Sequence, residues 1–299
     1  MIHCNLFESA ITSLLYQDGD NSDELIKDLI ESSYLVTPNG GYRWNDDSKL
    51  WEKKTFYELL EVIESDFSKY NEDYLFVMPS QEQIAKILKL LENNEWEKKL
   101  NCKRHLYPLK DGKVLHMETL YVRPRERHDF FSFECPVTYN TENYEMVEKS
   151  MQQLTNNTKN LMSIMGYFLC GLTTKKCFYA FYGDIQIKNY LSNMLGKIMG
   201  DFYCKVATMD EITNFKGKRL IFFSDPSIIN ESTLDLLYHN STCKYLIPTN
   251  TNPQGQQNIS IKLAPRNPGI PDISLDDFFS WCVCGSCFWF QYRKQYIEK

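Results

Sequence analysis

Three apolar segments in the second half of the chain end in polar residues that could do chemistry together. CFYAFYGD ends at Gly183 and Asp184, KRLIFFSD ends at Asp225, and CKYLIPTN ends at Asn250. Each segment has the length and composition of a buried strand, and IKNYLSNMLGKIMG after the first one is predicted to be a helix. Strands that alternate with helices form a mostly parallel sheet, which binds ligands beyond the carboxyl ends of its strands. These strand ends should therefore meet at one edge, in the layout of a nucleoside-triphosphatase site.

The residues before these strands predict a helical region and a small β segment. GYRWNDDSKLWEKKT predicts an aromatic hairpin, FYELLEVIESDFSKY carries apolar residues at helical spacing, and SQEQIAKILKLL opens with a Ser-x-x-Gln capping pattern. HLYPLKDGKVLHMETLYVRP alternates like short strands and contains a Lys-Asp-Gly turn. We therefore divide the chain into a mostly helical region with the hairpin (1–100), a small β segment (101–143) and an α/β domain (144–299).

Composition and hydropathy predict a globular intracellular protein of roughly two packed units. The chain has 299 residues, of which 43% are hydrophobic and 24% charged, and its mean hydropathy is −0.43. The longest apolar stretch, 278–290, is shorter than a membrane-spanning helix requires. The N-terminus lacks the basic start of a secretory signal. We expect no secretion and no membrane partner.

The cysteines predict packing rather than a disulfide scaffold or a metal site. The ten cysteines are scattered along a long chain, whereas disulfide-rich secreted domains are short and dense in cysteine. Cys282, Cys284 and Cys287 form one close trio, but structural zinc sites use four ligands, usually as two close pairs. We expect reduced thiols, a packed helix at this trio, and no metal.

The charge of the chain is unevenly distributed. The net charge is −6, which argues against a protein that coats nucleic acid indiscriminately. Residues 1–70 carry a net charge of −8, whereas residues 103–128 carry +4. Within the basic stretch, Arg123, Arg125 and Arg127 are the candidates for DNA binding, and a solvated rim is the alternative.

Six fragments in order resemble the primase-helicase proteins of large DNA viruses and phages, whose motor is a superfamily III helicase of the AAA+ class. The fragments are GYRWNDDSKLW, LNCKRHLYPLKDGKVLHMETLYVRPRERHDFF, MSIMGYFLCGLTTKKCFYAFYGD, FKGKRLIFFSDP, CKYLIPTNTNP and LDDFFSWCVCGSCFWF. Each fragment alone is weak, but the collinear set spans the chain from about residue 34 to its end. The resemblance implies an AAA+-like P-loop NTPase sheet and a role in viral DNA replication, in the cytoplasm or viral factory of an infected cell.

The resemblance also implies roles for individual residues, with ATP and magnesium as cofactors. Lys188 stands at the position of the phosphate-loop lysine, after Gly183 and Asp184, and Asn189 stands at the position of the magnesium-binding hydroxyl. Lys188, Asp225 and Asn250 also fit ordinary structural roles. For Lys188, the alternative is a solvated lysine at a helix start. Asp225 resembles the acid that holds magnesium or polarises water, or it is a helix cap. Asn250 resembles the sensor of the γ-phosphate, or it is a turn residue.

Several family features are missing from the sequence. A phosphate loop needs glycines so that its backbone N–H groups can approach the phosphates, but GDIQIKNYL has Ile185, Gln186 and Ile187 where those glycines would be. The segment 228–242 is too short for both a helix and a DNA-dragging pore hairpin. Arg266 is the one candidate for an arginine that reaches a neighbouring subunit. These departures predict a pseudoenzyme.

We therefore predict a divergent primase-helicase-like protein that is ATPase-deficient and acts in viral DNA replication. Its partners would be DNA, an active primase-helicase relative or another replication protein. One alternative is an active ATP-dependent DNA helicase subunit that borrows residues from a neighbour in a ring. The other is a recruited fold with an interaction role unrelated to replication. The loop 183–188 bears on the choice, because it either leaves a concavity lined with N–H groups or is filled by Ile185 and Ile187.

Overall fold

The computed structural model describes residues 22–74, 78–173, 178–208, 211, 215, 217–225, 227, 243–249, 258–263 and 270–297. The chain divides into two compact units. The first comprises Met1–Leu100 with Phe130–Ser132, and the second comprises Asn101–Asp129 with Phe133–Lys299. None of the described helices is both long enough and apolar enough to cross a bilayer.

The first unit packs helices against a small antiparallel sheet. Its elements are α1 (Ser22–Ser33), β1 (Tyr34–Thr37), β2 (Gly40–Asn45), β3 (Leu50–Lys54), α2 (Phe56–Tyr74), α3 (Gln81–Leu91) and α4 (Glu95–Lys99). The predicted aromatic hairpin is confirmed, since Trp44 pairs with Trp51 across β2 and β3 and their ring centroids lie 5.5 Å apart. The predicted capping box is also confirmed, because Ser80 and Gln83 exchange side-chain and backbone hydrogen bonds at the start of α3.

Helical spacing builds the core of this unit. Leu59, Ile63 and Phe67 recur every four residues along α2 and are buried. They form one cluster with buried residues of α1 and α3, including Ile30 and Leu88. Such stripes bury one face of each helix and leave its polar face in solvent.

The second unit contains a small antiparallel sheet and a parallel sheet. Its elements are β4 (Leu106–Leu109), β5 (Lys113–His116), β6 (Val122–Pro124), a 3₁₀ turn (Arg127–Asp129), α5 (Tyr144–Met151), α6 (Thr158–Leu169), β7 (Phe178–Gly183), α7 (Ile185–Met199), a 3₁₀ turn (Gly200–Phe202), β8 (Tyr203–Val206), β9 (Leu220–Phe223), β10 (Lys244–Thr249), β11 (Asn258–Leu263) and α8 (Leu275–Ile297). Strands β4, β5 and β6 pair antiparallel in chain order. The unit is therefore a mixed α/β fold, as predicted.

The parallel sheet has five strands in the order β11-β7-β10-β9-β8. Every described pair in it is parallel, so the strands share one amino end and one carboxyl end. The three strands predicted from their apolar segments are confirmed as β7, β9 and β10. At the carboxyl end of the sheet, Thr249 of β10 pairs with Tyr182 of β7, and Leu263 of β11 pairs with Gly183 of β7.

Helices α6 and α8 cross with almost no space between their backbones. A Cβ atom at Gly166 would overlap the backbone of Ser286, and one at Gly285 would overlap the carbonyl oxygen of Met162. Glycine permits this approach because it has no side chain.

The cysteines of α8 lie on or near this packed interface. Cys282 is buried, whereas Cys284 and Cys287 are half-buried. Within the described part of the chain, no three His, Cys, Asp or Glu side chains are grouped so that they could hold a metal ion.

Candidate functional site

The strand order has a topological switch point at the carboxyl ends of β7 and β10. From β7 the chain crosses β10 and β9 to reach β8, whereas from β10 it crosses β7 to reach β11. Ligands of open parallel sheets bind at such a switch point. Gly183, Asp184 and Lys188 are brought together here, at the start of α7.

Asp184 caps the helix that would have to cradle a phosphate. Its Oδ1 atom accepts the N–H group of Gln186 at 2.8 Å and that of Ile187 at 3.1 Å. The first N–H groups of a helix have no partner within the helix, and this is why they bind phosphates in nucleotide-binding proteins. In this chain, a carboxylate that precedes the helix already holds two of them.

The connection from β7 to α7 has no room for a phosphate loop. Strand β7 ends at Gly183 and α7 begins at Ile185, so Asp184 is the one residue between them. Gly183 has φ of +111°, and a Cβ atom there would overlap the carbonyl oxygen of Leu263. The N–H group of Asp184 donates to the same oxygen at 3.0 Å. This turn is therefore tied to β11 rather than open to a ligand.

The two isoleucines of this segment point in different directions. Ile187 is buried, but Ile185 is 58% exposed. Neither arrangement expected for the loop is present, because Ile185 does not fill a concavity and the N–H groups of Gln186 and Ile187 are capped by Asp184.

Lys188 is buried, although a solvated lysine was one expectation. Its side chain is 1% exposed, and its Nζ donates to the carbonyl oxygen of Thr249 at 2.8 Å. Burial lowers the pKa of Lys188, and the charge of Asp184 opposes this shift. The ammonium group therefore lies at the carboxyl end of β10 and already has a protein acceptor there.

Asp225 and Asn189, two further candidates for the nucleotide site, are exposed. Asp225 follows β9, is exposed, and accepts the N–H group of Ser227 at 2.8 Å, which lowers its pKa. This hydrogen bond fits the helix-cap alternative. Asn189 is exposed on α7, one residue beyond the buried Lys188. Asn250, Arg266 and the segment 228–242 lie outside the described residues.

The three arginines expected to face DNA do not share an exposed surface. Arg123 forms two hydrogen bonds with the carboxylate of Asp129, at 2.8 and 2.6 Å. Arg125 is 2% exposed and donates to the carbonyl oxygen of Leu109 and to Glu134. The guanidinium group of Arg125 therefore binds acceptors inside the unit, whereas Arg123 and Arg127 are half-buried.

Two buried cations lie at the amino end of the parallel sheet, and the sequence patterns did not predict them. Arg219 precedes β9 and donates to the carbonyl oxygens of Leu169 and Leu106, each at 2.7 Å. Lys244, the first residue of β10, donates to the carbonyl oxygen of Cys170. Burial lowers the pKa of Arg219 to about 10 and that of Lys244 to about 8.

These cations stabilise the last turn of α6, whose carbonyl groups have no partners within the helix. The sequence signal for these two buried cations was a basic residue at the start of each of two apolar segments, in KRLIFF and CKYLI.

No family profile matches the chain. No curated protein matches it either. Among solved structures, the chain is similar to the apo structure of the NrS-1 C terminal region (305-718), with a TM-score of 0.49 and 9% identity over 90% of this chain and 68% of that one. It is also similar to the A form apo structure of the same region, with a TM-score of 0.47 and 9% identity over the same shares of the two chains.

Proposed function

We propose that the chain is a divergent primase-helicase-like protein with a P-loop NTPase-type sheet that has lost ATP hydrolysis. In this proposal it acts in viral DNA replication by binding DNA or another replication protein. The six collinear fragments support the relationship. The switch point of the sheet at the carboxyl ends of β7 and β10, where Gly183, Asp184 and Lys188 meet, supports a site that derives from a nucleotide site.

The main support for the loss of ATP hydrolysis is the helix cap formed by Asp184. Its carboxylate accepts two N–H groups at the start of α7, where a nucleotide would place its phosphates. A phosphate would have to displace this carboxylate and would also be repelled by it, since both are negatively charged. The one-residue connection between β7 and α7 gives the backbone no loop with which to surround the phosphate.

The remaining residues do not fit ATP and magnesium. The ammonium group of Lys188 binds the carbonyl oxygen of Thr249 rather than pointing to an open cradle. Asn189 replaces the hydroxyl that binds magnesium in the family, and Asp225 is bound to the N–H group of Ser227. We therefore assign no step of a reaction to a bound nucleotide.

The test is nucleotide binding and turnover in the full chain. Isothermal titration calorimetry with ATP and magnesium should give no saturable heat, and phosphate release should be undetectable with or without single-stranded DNA. The variants Lys188→Ala and Asp225→Ala separate the chain's own activity from contamination. Turnover that disappears in both variants would overturn the proposal and restore the active helicase. Turnover that is equal in all three proteins comes from a contaminant and leaves the expected result in place.

A further inference from the structure

A group of basic and aromatic side chains is exposed where β4, β5 and β6 approach the amino end of the parallel sheet. We call this group the basic face, and its members are Lys103, Arg104, His105, His116 and Tyr121. His105 and Arg104 are exposed, Lys103 and His116 are half-buried, and Tyr121 is 64% exposed. The side chains of Lys103 and Arg104 have no ion pair or hydrogen bond among the described residues. Their charges are therefore available to an anion.

The backbone holds these side chains in fixed positions. The carbonyl oxygen of Arg104 accepts the N–H group of Gly171 at 2.7 Å, and that of His105 accepts the N–H group of Met117 at 2.8 Å. The carbonyl oxygen of Lys103 accepts a hydrogen bond from the buried guanidinium group of Arg219 at 3.2 Å. The cations therefore project from an ordered segment rather than from a mobile tail.

Two observations relate the three rings to one another, through His116. The rings of His105 and His116 have centroids 5.1 Å apart. The N–H group of His116 donates to the carbonyl oxygen of Tyr121 at 2.9 Å, which continues the register of β5 with β6. Residues directly opposite each other in an antiparallel pair project from the same face. Tyr121 therefore lies beside the histidine pair.

The surroundings of the basic face strengthen its positive potential. Arg219 and Lys244 lie behind it, and the charges of Arg104 and Arg219 both contribute to the lowered pKa of Lys244, after burial. The nearby Asp129 is paired with Arg123, so its charge is offset. Glu118, in the turn after β5, and Asp201, just before β8, are exposed acids of the same unit.

We propose that the basic face binds single-stranded DNA, with phosphates on Lys103 and Arg104 and a base stacked on Tyr121. Proteins that bind single strands combine cations that contact the backbone with exposed aromatic rings on which bases stack. A paired base cannot offer its face to a ring, so the exposure of Tyr121 favours a single strand over a duplex. This inference rests on the proposed function and specifies its DNA partner.

The basic face and the candidate nucleotide site lie at opposite ends of the parallel sheet. The carbonyl oxygen of Lys103 accepts a hydrogen bond from Arg219, which precedes β9 at the amino end, whereas Asp184 follows β7 at the carboxyl end. Variants of the basic face therefore leave the contacts of Asp184 and Lys188 intact. Failure of the DNA experiment would overturn this inference alone, whereas failure of the nucleotide experiment would overturn the proposed function.

The test is fluorescence anisotropy with labelled oligo(dT) of about 20 nucleotides, against a duplex of the same length, over a series of salt concentrations. The double variant Lys103→Ala/Arg104→Ala should reduce the salt slope by about 1.4, since each phosphate contact to a single strand contributes about 0.7. Tyr121→Ala should weaken binding about 5-fold to 100-fold, and Tyr121→Phe should preserve it because the ring remains. Unfolding midpoints verify that each variant is folded.

The matched control is Lys110→Ala/Lys113→Ala, which removes two exposed lysines at the opposite end of the β4–β5 pair from His105 and His116. It should leave the salt slope within a few tenths of the wild-type value. Three results would overturn the inference: no binding of oligo(dT) by the wild type, an equal loss of slope in the control, or duplex binding as tight as single-strand binding with no effect of Tyr121→Ala.

Discussion

The ammonium group of Lys244 lies 4.5 Å from the centroid of the Tyr167 ring and donates a hydrogen bond to the carbonyl oxygen of Cys170. Lys244 is 2% exposed, so this charge is held almost without water. The neighbouring guanidinium group of Arg219 stacks on Phe202, with 3.6 Å between its central carbon and the ring centroid. Aromatic rings and helix carbonyls both attract cations, and together they compensate for part of the lost hydration.

The buried Lys244 predicts a specific dependence of stability on pH. Burial lowers its pKa to about 8, below the value of 10.5 that it regains on unfolding. Between these values the unfolded chain binds the proton more tightly, so the free energy of unfolding rises with pH. Relative to Lys244→Met, the wild type should gain about 1 to 2 kcal/mol between about pH 7 and about pH 9.5. Tyrosine and cysteine titration affects both proteins and cancels.

Urea unfolding at the two pH values measures this difference. Lys262→Met is the control, because Lys262 is exposed on β11 and its replacement should leave the stability difference from the wild type independent of pH. A Lys244→Met difference that is constant with pH would mean that the ammonium group is solvated.

The cap at the start of α7 predicts that Asp184 stabilises the folded chain. Asp184→Ala removes the acceptor of two N–H groups and should reduce the free energy of unfolding by about 0.5 to 2 kcal/mol. Asp184→Asn keeps an acceptor oxygen and should lose only a fraction of this amount. Chemical denaturation provides the comparison. Equal stability of the alanine variant and the wild type would contradict the cap.

The interior position of Arg125 predicts that its replacement affects folding first. Arg125→Ala leaves the carbonyl oxygen of Leu109 and the carboxylate of Glu134 without this donor and should cost about 3 to 5 kcal/mol. Lys110→Ala, a change at an exposed lysine in the same segment, should stay within about 0.5 kcal/mol of the wild type. Thermal unfolding compares the two. A fully stable Arg125→Ala would place the guanidinium group in solvent.

The crossing of α6 and α8 predicts that two glycines cannot be enlarged. Gly166→Ala and Gly285→Ala each place a methyl group inside the backbone of the opposite helix and should cost about 1 to 3 kcal/mol. Gly196→Ala is the control in the interior of α7, where a Cβ atom would lie 3.2 Å from the ring of Tyr203. All three changes gain the same helix propensity, about 1 kcal/mol, so the crossing accounts for the difference. Similar stability of all three variants would contradict the close packing.

The strands of the parallel sheet that the sequence predicted are those whose apolar residues are continuous. β7, β9 and β10 are buried on both faces, and their composition shows it. β8 and β11 were missed because they lie at the edges of the sheet, where YCKV and NISIKL mix polar and apolar residues. An edge strand needs apolar residues on fewer positions, so its sequence resembles that of a loop.

The candidate site was predictable in position but not in contacts. The polar ends of β7 and β9 follow from the apolar segments, and the missing glycines predicted a defective phosphate loop. The burial of Lys188 was not predictable, because a lysine on a helix is ordinarily solvated and its acceptor, Thr249, is 61 residues away. The burial of Arg125 was not predictable for the same reason, since its acceptors Leu109 and Glu134 belong to other segments. Long-range partners decide such cases, and a local pattern does not contain them.

The position of β7 in the sheet has a consequence for synthesis on the ribosome. Its described neighbours are β10 and β11, and the last residue of β11, Leu263, pairs with Gly183 eighty residues earlier in the chain. At about 5 to 20 residues per second, translation takes about 4 to 16 s to cover that distance. Until β10 emerges, the nascent chain exposes an apolar strand with both edges unpaired, and one edge stays unpaired until β11 emerges. Chaperone binding to nascent chains should therefore begin soon after β7 emerges and end once β11 has left the exit tunnel.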